Sequence, residues 1–187
     1  MPKQRITKKM VIDAAFEIAR KSGMEKVMVK SIAEKLNCSV QPIYSYCENM
    51  ESLRREVAWC AKKFVQEYIS AHIDIDDLFG STGRAYVKMA KEEPFLFKIF
   101  VFLERENITS LEQLYESETN PDIAKTIAKQ LNIPIEKAKQ LHLHMLIYTI
   151  GIGTICTVTS SKLSEKEIMY QQEQAYQAFL KQILKEK

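Results

Sequence analysis

Residues 29–48, VKSIAEKLNCSVQPIYSYCE, contain two short helical patterns separated by a few polar residues. In the first pattern, Ile32, Ala33 and Leu36 recur at the three- and four-residue spacing of one helix face. Asn37 follows, and asparagine tolerates the left-handed backbone conformation that ends many helices. The pattern therefore predicts a short helix that begins near Val29 and ends in a tight turn.

A second short helix is predicted after this turn. Ser39 is suited to be its N-cap, and Pro42 is acceptable in the first turn, where the missing N–H has no intrahelical partner. Ile43 and Tyr46 would form its inward side.

Another amphipathic helix precedes the stretch, between a Thr7 N-cap and a C-terminal stop at Gly23. Its inward positions are Val11, Ala14, Ala15 and Ile18. Three short helices within about fifty residues, the last two joined by a short turn, are the arrangement that presents one helix to the DNA major groove.

The rest of the chain is also predicted to be helical, since only five Gly and five Pro interrupt it. A long helix follows Asn49, residues 74–83 form a connection, Pro94 and Pro134 open further helices, and Ser164 caps the last one. The expected inward stripe of the long helix is Leu53, Val57, Cys60 or Ala61, Phe64 and Tyr68.

The expected fold is thus all-α. Residues 1–50 would form a three-helix, helix-turn-helix DNA-binding domain. A long helix would join it to residues 51–187, a helical effector-binding and dimerisation bundle.

Charge is distributed unevenly along the chain. Residues 1–55 hold eleven Lys and Arg against six Asp and Glu, whereas the remainder holds sixteen against eighteen. A basic N-terminal part on a slightly acidic body is typical of a protein that binds a polyanion, although a solvated basic surface is the alternative.

No arrangement of residues indicates an enzyme, a metal site or a cofactor. The four cysteines form no C-x-x-C pair, no phosphate-binding loop occurs, and no Ser/His/Asp or Cys/His set is evident. His142 and His144 diverge by about 200° on a helix and cannot chelate one metal together. Gly151 and Gly153 are better explained by close helix approach than by a dinucleotide loop.

Residues 140–161 contain no charged side chain and are long enough to span a bilayer. The segment nevertheless holds two His, two Gly and several Thr, and no basic cluster or aromatic belt marks its ends. A buried helix with two covered faces is the preferred interpretation, one face being given to a second subunit. The N-terminus lacks a signal peptide, so we expect a cytoplasmic protein with reduced thiols and no membrane partner.

Residues 29–48 resemble the helix-turn-helix of the TetR family of bacterial transcriptional regulators. Ala33 matches the small residue at the helix crossing, Ile32, Leu36 and Ile43 match core positions, and Tyr44 and Tyr46 match a Tyr-x-His/Tyr pattern. The likeness covers about the first fifty-five residues. Residues 83–100, GRAYVKMAKEEPFLFKIF, also resemble one group of TetR-type effector domains.

The resemblance implies a double-stranded DNA partner and a set of contact residues. Gln41 would read adenine through its amide, and Tyr44 and Tyr46 would hydrogen-bond phosphates, although Tyr46 is equally suited to packing. The full set of implied DNA-binding residues is Thr7, Lys8, Lys30, Ser31, Ser39, Val40, Gln41, Tyr44 and Tyr46.

A small apolar effector of unknown identity and a homodimer are also expected. The aromatic-rich centre suits an effector pocket, with core packing as the alternative. Candidate pocket residues are Phe79, Tyr86, Met89, Phe95, Phe100, His144 and Tyr148, and Arg84 could orient a ligand. Candidate dimer-interface residues are Leu141, Met145, Ile152, Ile155, Ala175 and Phe179.

Two functions follow from these expectations. The first is a homodimeric repressor that releases operator DNA when it binds its effector. The second is a coactivator or interaction module that needs a partner protein, because Met50 stands where the family frequently has a phosphate-binding lysine.

Overall fold

The computed structural model describes residues 6–47, 49–159 and 163–185, so Glu48 and residues 160–161 of the segments discussed above lie outside it. Within these ranges every regular element is helical, and the expected all-α fold is confirmed. The helices are α1 (Lys8–Ser22), a 3₁₀ turn (Met24–Lys26), α2 (Val29–Lys35), α3 (Gln41–Tyr46), α4 (Met50–Ala71), α5 (Leu78–Glu92), α6 (Pro94–Val101), α7 (Leu111–Glu118), α8 (Pro121–Leu131), α9 (Ile135–Val158) and α10 (Glu165–Lys185).

The chain forms two compact units. The head unit comprises Met1–Ala71 and Lys88–Leu103, and the body unit comprises His72–Val87 and Glu104–Lys187. The domain boundary predicted near residue 50 lies within the head unit, at the start of α4, and stays a prediction. The compact head is larger because α4 and α6 both pack against α1.

A single apolar core joins α1 to α4 in the head unit. Ala15, Ile32, Ile43 and Val57 are fully buried in it. Burial of one such large aliphatic side chain stabilises the fold by about 1.5–3 kcal/mol. The expected core faces are therefore confirmed, except that Ala19 takes the buried place expected for Ile18, which is only half-buried.

The predicted ends of the first two helices are confirmed. Thr7 caps α1 by accepting a hydrogen bond from the backbone N–H of Met10, and Gly23 ends it at a φ of 91°. Asn37 follows α2 at a φ of 50°, in the left-handed region. The prediction that Ser39 caps the next helix is wrong: α3 begins at Gln41, its N-cap is Val40, and no side chain caps it.

The buried stripe of α4 and the first residue of α5 also differ from expectation. On α4 the buried positions after Val57 are Ala58, Ala61, Val65 and Ile69, so Phe64 and Tyr68 lie only half-buried beside the stripe. Helix α5 begins at Leu78, within the segment predicted to be a connection.

The body unit is built on α9, which packs against both α8 and α10. Ile127, Ala138, Leu141 and Ile183 are buried in its core. As predicted, Pro134 opens α9 and the Ser164 hydroxyl oxygen accepts a hydrogen bond from the backbone N–H of Glu167 at the start of α10.

Among the described residues, α9 alone is long and apolar enough to cross a membrane, and about 22% of its most apolar segment is buried. One such helix is weak evidence for a membrane span, because a core helix of a globular protein has the same properties.

Candidate DNA-binding surface and ligand cavity

The outward side of α3 carries the side chains expected to read DNA. Val40 is 44% exposed and Tyr44 is 65% exposed, and Gln41 is exposed between them. Ile43, on the opposite side, is fully buried. The helix therefore presents one face to solvent while the other is fixed to the core.

The turn between α2 and α3 is held by backbone hydrogen bonds. The Cys38 N–H donates to the Ala33 carbonyl at 3.0 Å, and the Asn37 N–H donates to the Glu34 carbonyl at 3.1 Å. Ala33 is 4% exposed, and its small side chain suits the crossing of two helices. These bonds close the end of α2, and α3 packs against α2 after the turn, which is the arrangement of a helix-turn-helix.

Two of the predicted phosphate contacts have partners inside the head unit. The Tyr46 hydroxyl donates to the Ile6 carbonyl at 2.9 Å, which favours the packing role for this half-buried residue. The Ser31 hydroxyl oxygen accepts from the Met28 N–H at 3.1 Å, and the hydroxyl lies within hydrogen-bond distance of the Lys26 and Met28 carbonyls. Ser31 thus caps α2, where Met28 cannot.

The remaining predicted DNA contacts lie on the exposed surface of the head. Lys8 forms an ion pair with Glu56 at 2.8 Å, so a phosphate would compete with this carboxylate. Thr7, Lys30 and Ser39 are exposed. These positions stay predictions, as do the exposed side chains Val40, Gln41 and Tyr44.

The body unit contains a cavity between α5 and α9. With its open mouth included it measures about 310 Å³, and its enclosed part has room for about one water molecule. Its walls are apolar apart from two threonines and one histidine. The lining residues are Leu78, Phe79, Thr82, His142, Met145, Leu146 and Thr149.

His142 is held neutral beside this cavity. It is 8% exposed, and burial lowers the pKa of its imidazole to about 4. The Tyr115 hydroxyl and Nδ1 of His142 share a hydrogen bond of 2.8 Å, and burial raises the pKa of the phenol.

A buried amide lies next to the cavity wall. Gln172 is 4% exposed, and its Nε2 donates to the Thr149 hydroxyl at 3.4 Å. Its Oε1 finds no hydrogen-bond partner among the described residues. A Cβ atom at Gly83 would lie 2.5 Å from this oxygen, so any other residue at this position would force the buried Gln172 amide to shift.

The predicted pocket residues are not brought together. Of the set, Phe79 alone lines the cavity. Met89, Phe95 and Phe100 belong to the head unit, where Met89 and Phe100 are buried core side chains.

In the body unit, three of the predicted pocket residues lie outside the cavity lining. The first of the three is Tyr86, whose pKa is raised to about 12 by burial. The His144 ring lies 4.9 Å from that of Phe179, and its Nδ1 lacks a hydrogen-bond partner among the described residues. Tyr148 is half-buried, and Arg84 is an exposed residue paired with Asp77 at 2.6 Å.

Sequence reasoning missed three of the polar side chains at the cavity. His142 was considered only as a metal ligand, and Thr149 and Gln172 interrupt apolar patterns without forming a motif. A polar residue at an inward helical position, such as Thr149 four residues after Met145, was the available signal.

The prediction of two of the dimer-interface residues is wrong. Leu141 is fully buried and Met145 is 4% exposed within the protomer's own core, so neither is available to a second subunit. Ile155 is 50% exposed, whereas Ile152, Ala175 and Phe179 are half-buried. The close approach expected at Gly151 is also absent, since no described atom lies within 4 Å of a Cβ built there.

Comparison with known proteins relates the chain to transcriptional regulators. No family model matches it. It is 31% identical over 96 residues to YobS, an uncharacterized HTH-type transcriptional regulator of Bacillus subtilis (strain 168), and the match covers 50% of this chain and 50% of that protein. The aligned part is thus about half the length of the curated relative.

Solved structures share the fold across nearly the whole chain. A transcriptional regulator from Rhodococcus sp. Rha1 superposes with a TM-score of 0.60 at 11% identity, covering 95% of this chain and 97% of that one. A protein described as a transcription regulator, from Streptomyces coelicor, gives 0.51 at 14% identity and covers 99% and 98%. Both structures are described as those of transcriptional regulators. The chain therefore has the fold of these regulators, and over half its length it is similar in sequence to an HTH-type transcriptional regulator.

Proposed function

We propose that the protein is a DNA-binding transcriptional regulator of the cytoplasm, acting as a homodimer that responds to a small effector. The observation that carries the proposal is the exposed set Val40, Gln41 and Tyr44 on a helix whose opposite side, Ile43, is fixed in the core. A recognition helix needs both properties, because base contacts require a rigid presentation of free side chains.

Net charge supports the choice of DNA as the partner. The basic excess of the sequence lies within residues 1–55, which include α1 to α3. Exposed Lys30 lies in the first turn of α2, the helix that precedes α3. Phosphate attraction of this kind is independent of sequence and is weakened by salt.

A second copy of the chain is the proposed occupant of the outer face of α9. Ile147, Ile155 and Val158 are 49%, 50% and 63% exposed, and Gly151 stands open between them. Exposed apolar rows of this length are unfavourable in water and mark association surfaces. The glycine lets another helix approach closely, and a two-fold dimer would supply two recognition helices about one DNA turn apart.

The cavity between α5 and α9 is the proposed effector site. Its apolar walls favour an apolar molecule, and Thr82, His142 and Thr149 are the polar groups that could orient it. Because the enclosed space holds little more than a water, an effector must move α5 and α9 apart to enter. Such a ligand stabilises a different conformation from the empty one, which is the requirement for a ligand to shift an equilibrium.

Repression is the proposed outcome of DNA binding, with release on effector binding. The coactivator alternative also has support in the structure. Lys8, Ser31 and Tyr46 already have intramolecular partners, which leaves fewer free groups for phosphates. A head with few free phosphate contacts would need a partner protein to bind tightly.

DNA binding by the purified full chain distinguishes these functions. Gel shifts against promoter fragments from the source genome, repeated over a range of salt concentrations, should give a complex whose affinity falls steeply with salt. Binding that appears only after a second protein is added would support the coactivator. Absence of any salt-sensitive complex under both conditions would refute both.

Sedimentation tests the dimer separately. Ile155→Asp introduces a charge into the α9 face and should convert the dimer to monomers, while Lys129→Asp, at an exposed position of α8, should leave the dimer intact. Equal behaviour of the two variants would exclude this face as the interface.

A further inference from the structure

The outward face of α3 lacks positive charge. No Lys or Arg occurs between Lys35 and Arg54, so none lies in the turn between α2 and α3 or on α3 itself. The side chains it offers are an aliphatic group, an amide, a phenol and the hydroxyl of Ser45, which donates to the backbone carbonyl of Gln41. This composition restricts which bases the helix can read.

Each base pair has a distinct pattern in the major groove. Guanine is most often read by Arg or Lys, which donate two hydrogen bonds to O6 and N7. Adenine is read by an amide that accepts from N6 and donates to N7, and the thymine methyl group is read by apolar contact. The face of α3 is equipped for the second and third kinds of contact and has no group for the first.

The amide of Gln41 is free for such a contact. It is exposed and forms no hydrogen bond with the described residues, and the backbone carbonyl of Gln41 is already occupied by the Ser45 hydroxyl at 3.2 Å. Val40, its neighbour, is 44% exposed although it is aliphatic. An exposed valine next to a free amide gives a contact surface for one methyl group and one adenine edge.

We propose that α3 reads A·T base pairs: Gln41 pairs with the N6 and N7 edge of an adenine, and Val40 packs on a thymine methyl. The proposal rests on the proposed DNA-binding function and specifies the operator that this function would use. The half-site positions beneath α3 are A·T, and guanine is not contacted by a cationic side chain there.

Selection from random duplexes by the purified full chain, followed by sequencing, tests the base preference. Two modified bases in the selected duplex then test the contacts. Deoxyuridine in place of thymidine removes the methyl group, and 7-deazaadenine removes N7, while pairing is kept in both.

In each half-site, loss of the critical methyl should weaken wild-type binding about fourfold. Loss of N7 should weaken it by between about 5-fold and 150-fold. Val40→Ala should be insensitive to deoxyuridine at that position, and Gln41→Ala should be insensitive to 7-deazaadenine. Thymines outside the selected half-sites serve as the control and should tolerate the replacement.

The outcomes distinguish a wrong base preference from an absence of DNA binding. Selected half-sites with A·T pairs, and modification effects that vanish in the matching variant, support the proposal. Half-sites rich in G·C, or effects of equal size in wild type and variant, overturn the base reading while DNA binding stands. If no duplex is enriched, the proposed DNA-binding function is refuted, and the proposed preference of α3 for A·T pairs is refuted with it.

Discussion

Lowering the pH should destabilise the protein through His142. The buried imidazole has a pKa of about 4, whereas an imidazole in the unfolded chain has a pKa of about 6.5. Between these values the unfolded chain binds a proton that the folded protein does not. Stability contributed by the neutral ring is therefore complete above about pH 7 and is lost as the pH falls from 6.5 toward 4.

The magnitude follows from the width of that window. Each pH unit within it changes the free energy of unfolding by about 1.4 kcal/mol. Acidification from pH 7 to pH 5 should thus remove about 2 kcal/mol through this residue alone, a large part of the stability of an ordinary domain. The low exposure of His142 leaves little solvent screening to reduce this value.

Urea unfolding at pH 7 and pH 5, at fixed protein concentration, measures the effect. His142→Gln removes the titrating ring, so the variant should be less stable than wild type at pH 7 but should lose about 2 kcal/mol less on acidification. His72→Gln, at an exposed position in the same unit, is the control and should keep the wild-type loss. Equal pH dependence in His142→Gln and wild type would refute the reasoning.

Two further predictions concern local geometry. Gly83→Ala would place a Cβ atom 2.5 Å from Gln172 Oε1 and should lower the free energy of unfolding by about 1–3 kcal/mol in urea melts. Adding Gln172→Ala should recover part of this loss. If the losses of the two single variants simply add in the double variant, the clash is contradicted. Ser31→Ala removes the hydroxyl that caps α2 and should lower the free energy of unfolding by about 0.5–2 kcal/mol. Ser52→Ala, whose hydroxyl lies in an exposed first turn of α4, is the control and should lower it less. Equal losses of stability in the two variants would argue against the capping role.

Local signals in the sequence were sufficient for most of the head unit. Thr7, Gly23 and Asn37 act within a few residues of themselves, and their roles as caps and stops depend on backbone conformations that each residue type favours. The buried positions Ile32 and Ile43 follow from helical spacing alone. Ser39 was misassigned because Val40 adopts helical backbone angles as the N-cap and leaves no side chain to cap α3.

The body unit could not be resolved in the same way because α9 is apolar on most sides. A stripe through Leu141, Met145 and Ile155 satisfies helical spacing, yet the first two are core and the third is exposed. The buried line continues instead through Thr149 and Gly153, which a count of apolar residues passes over. Tertiary packing decides between such stripes, and periodicity does not contain that information.

Two cations at the start of α1 already have carboxylate partners. Lys8 is paired with Glu56 and Lys9 with Asp13, so a phosphate bound at either lysine would compete with an ion pair. In the proposed dimer, the second head would bind at the high effective concentration set by the first, and the combined affinity would exceed that of either head. This gain is lost when the spacing no longer fits both half-sites. In the proposed regulator, an effector that changed the spacing of the two heads would therefore release DNA by ending their simultaneous engagement.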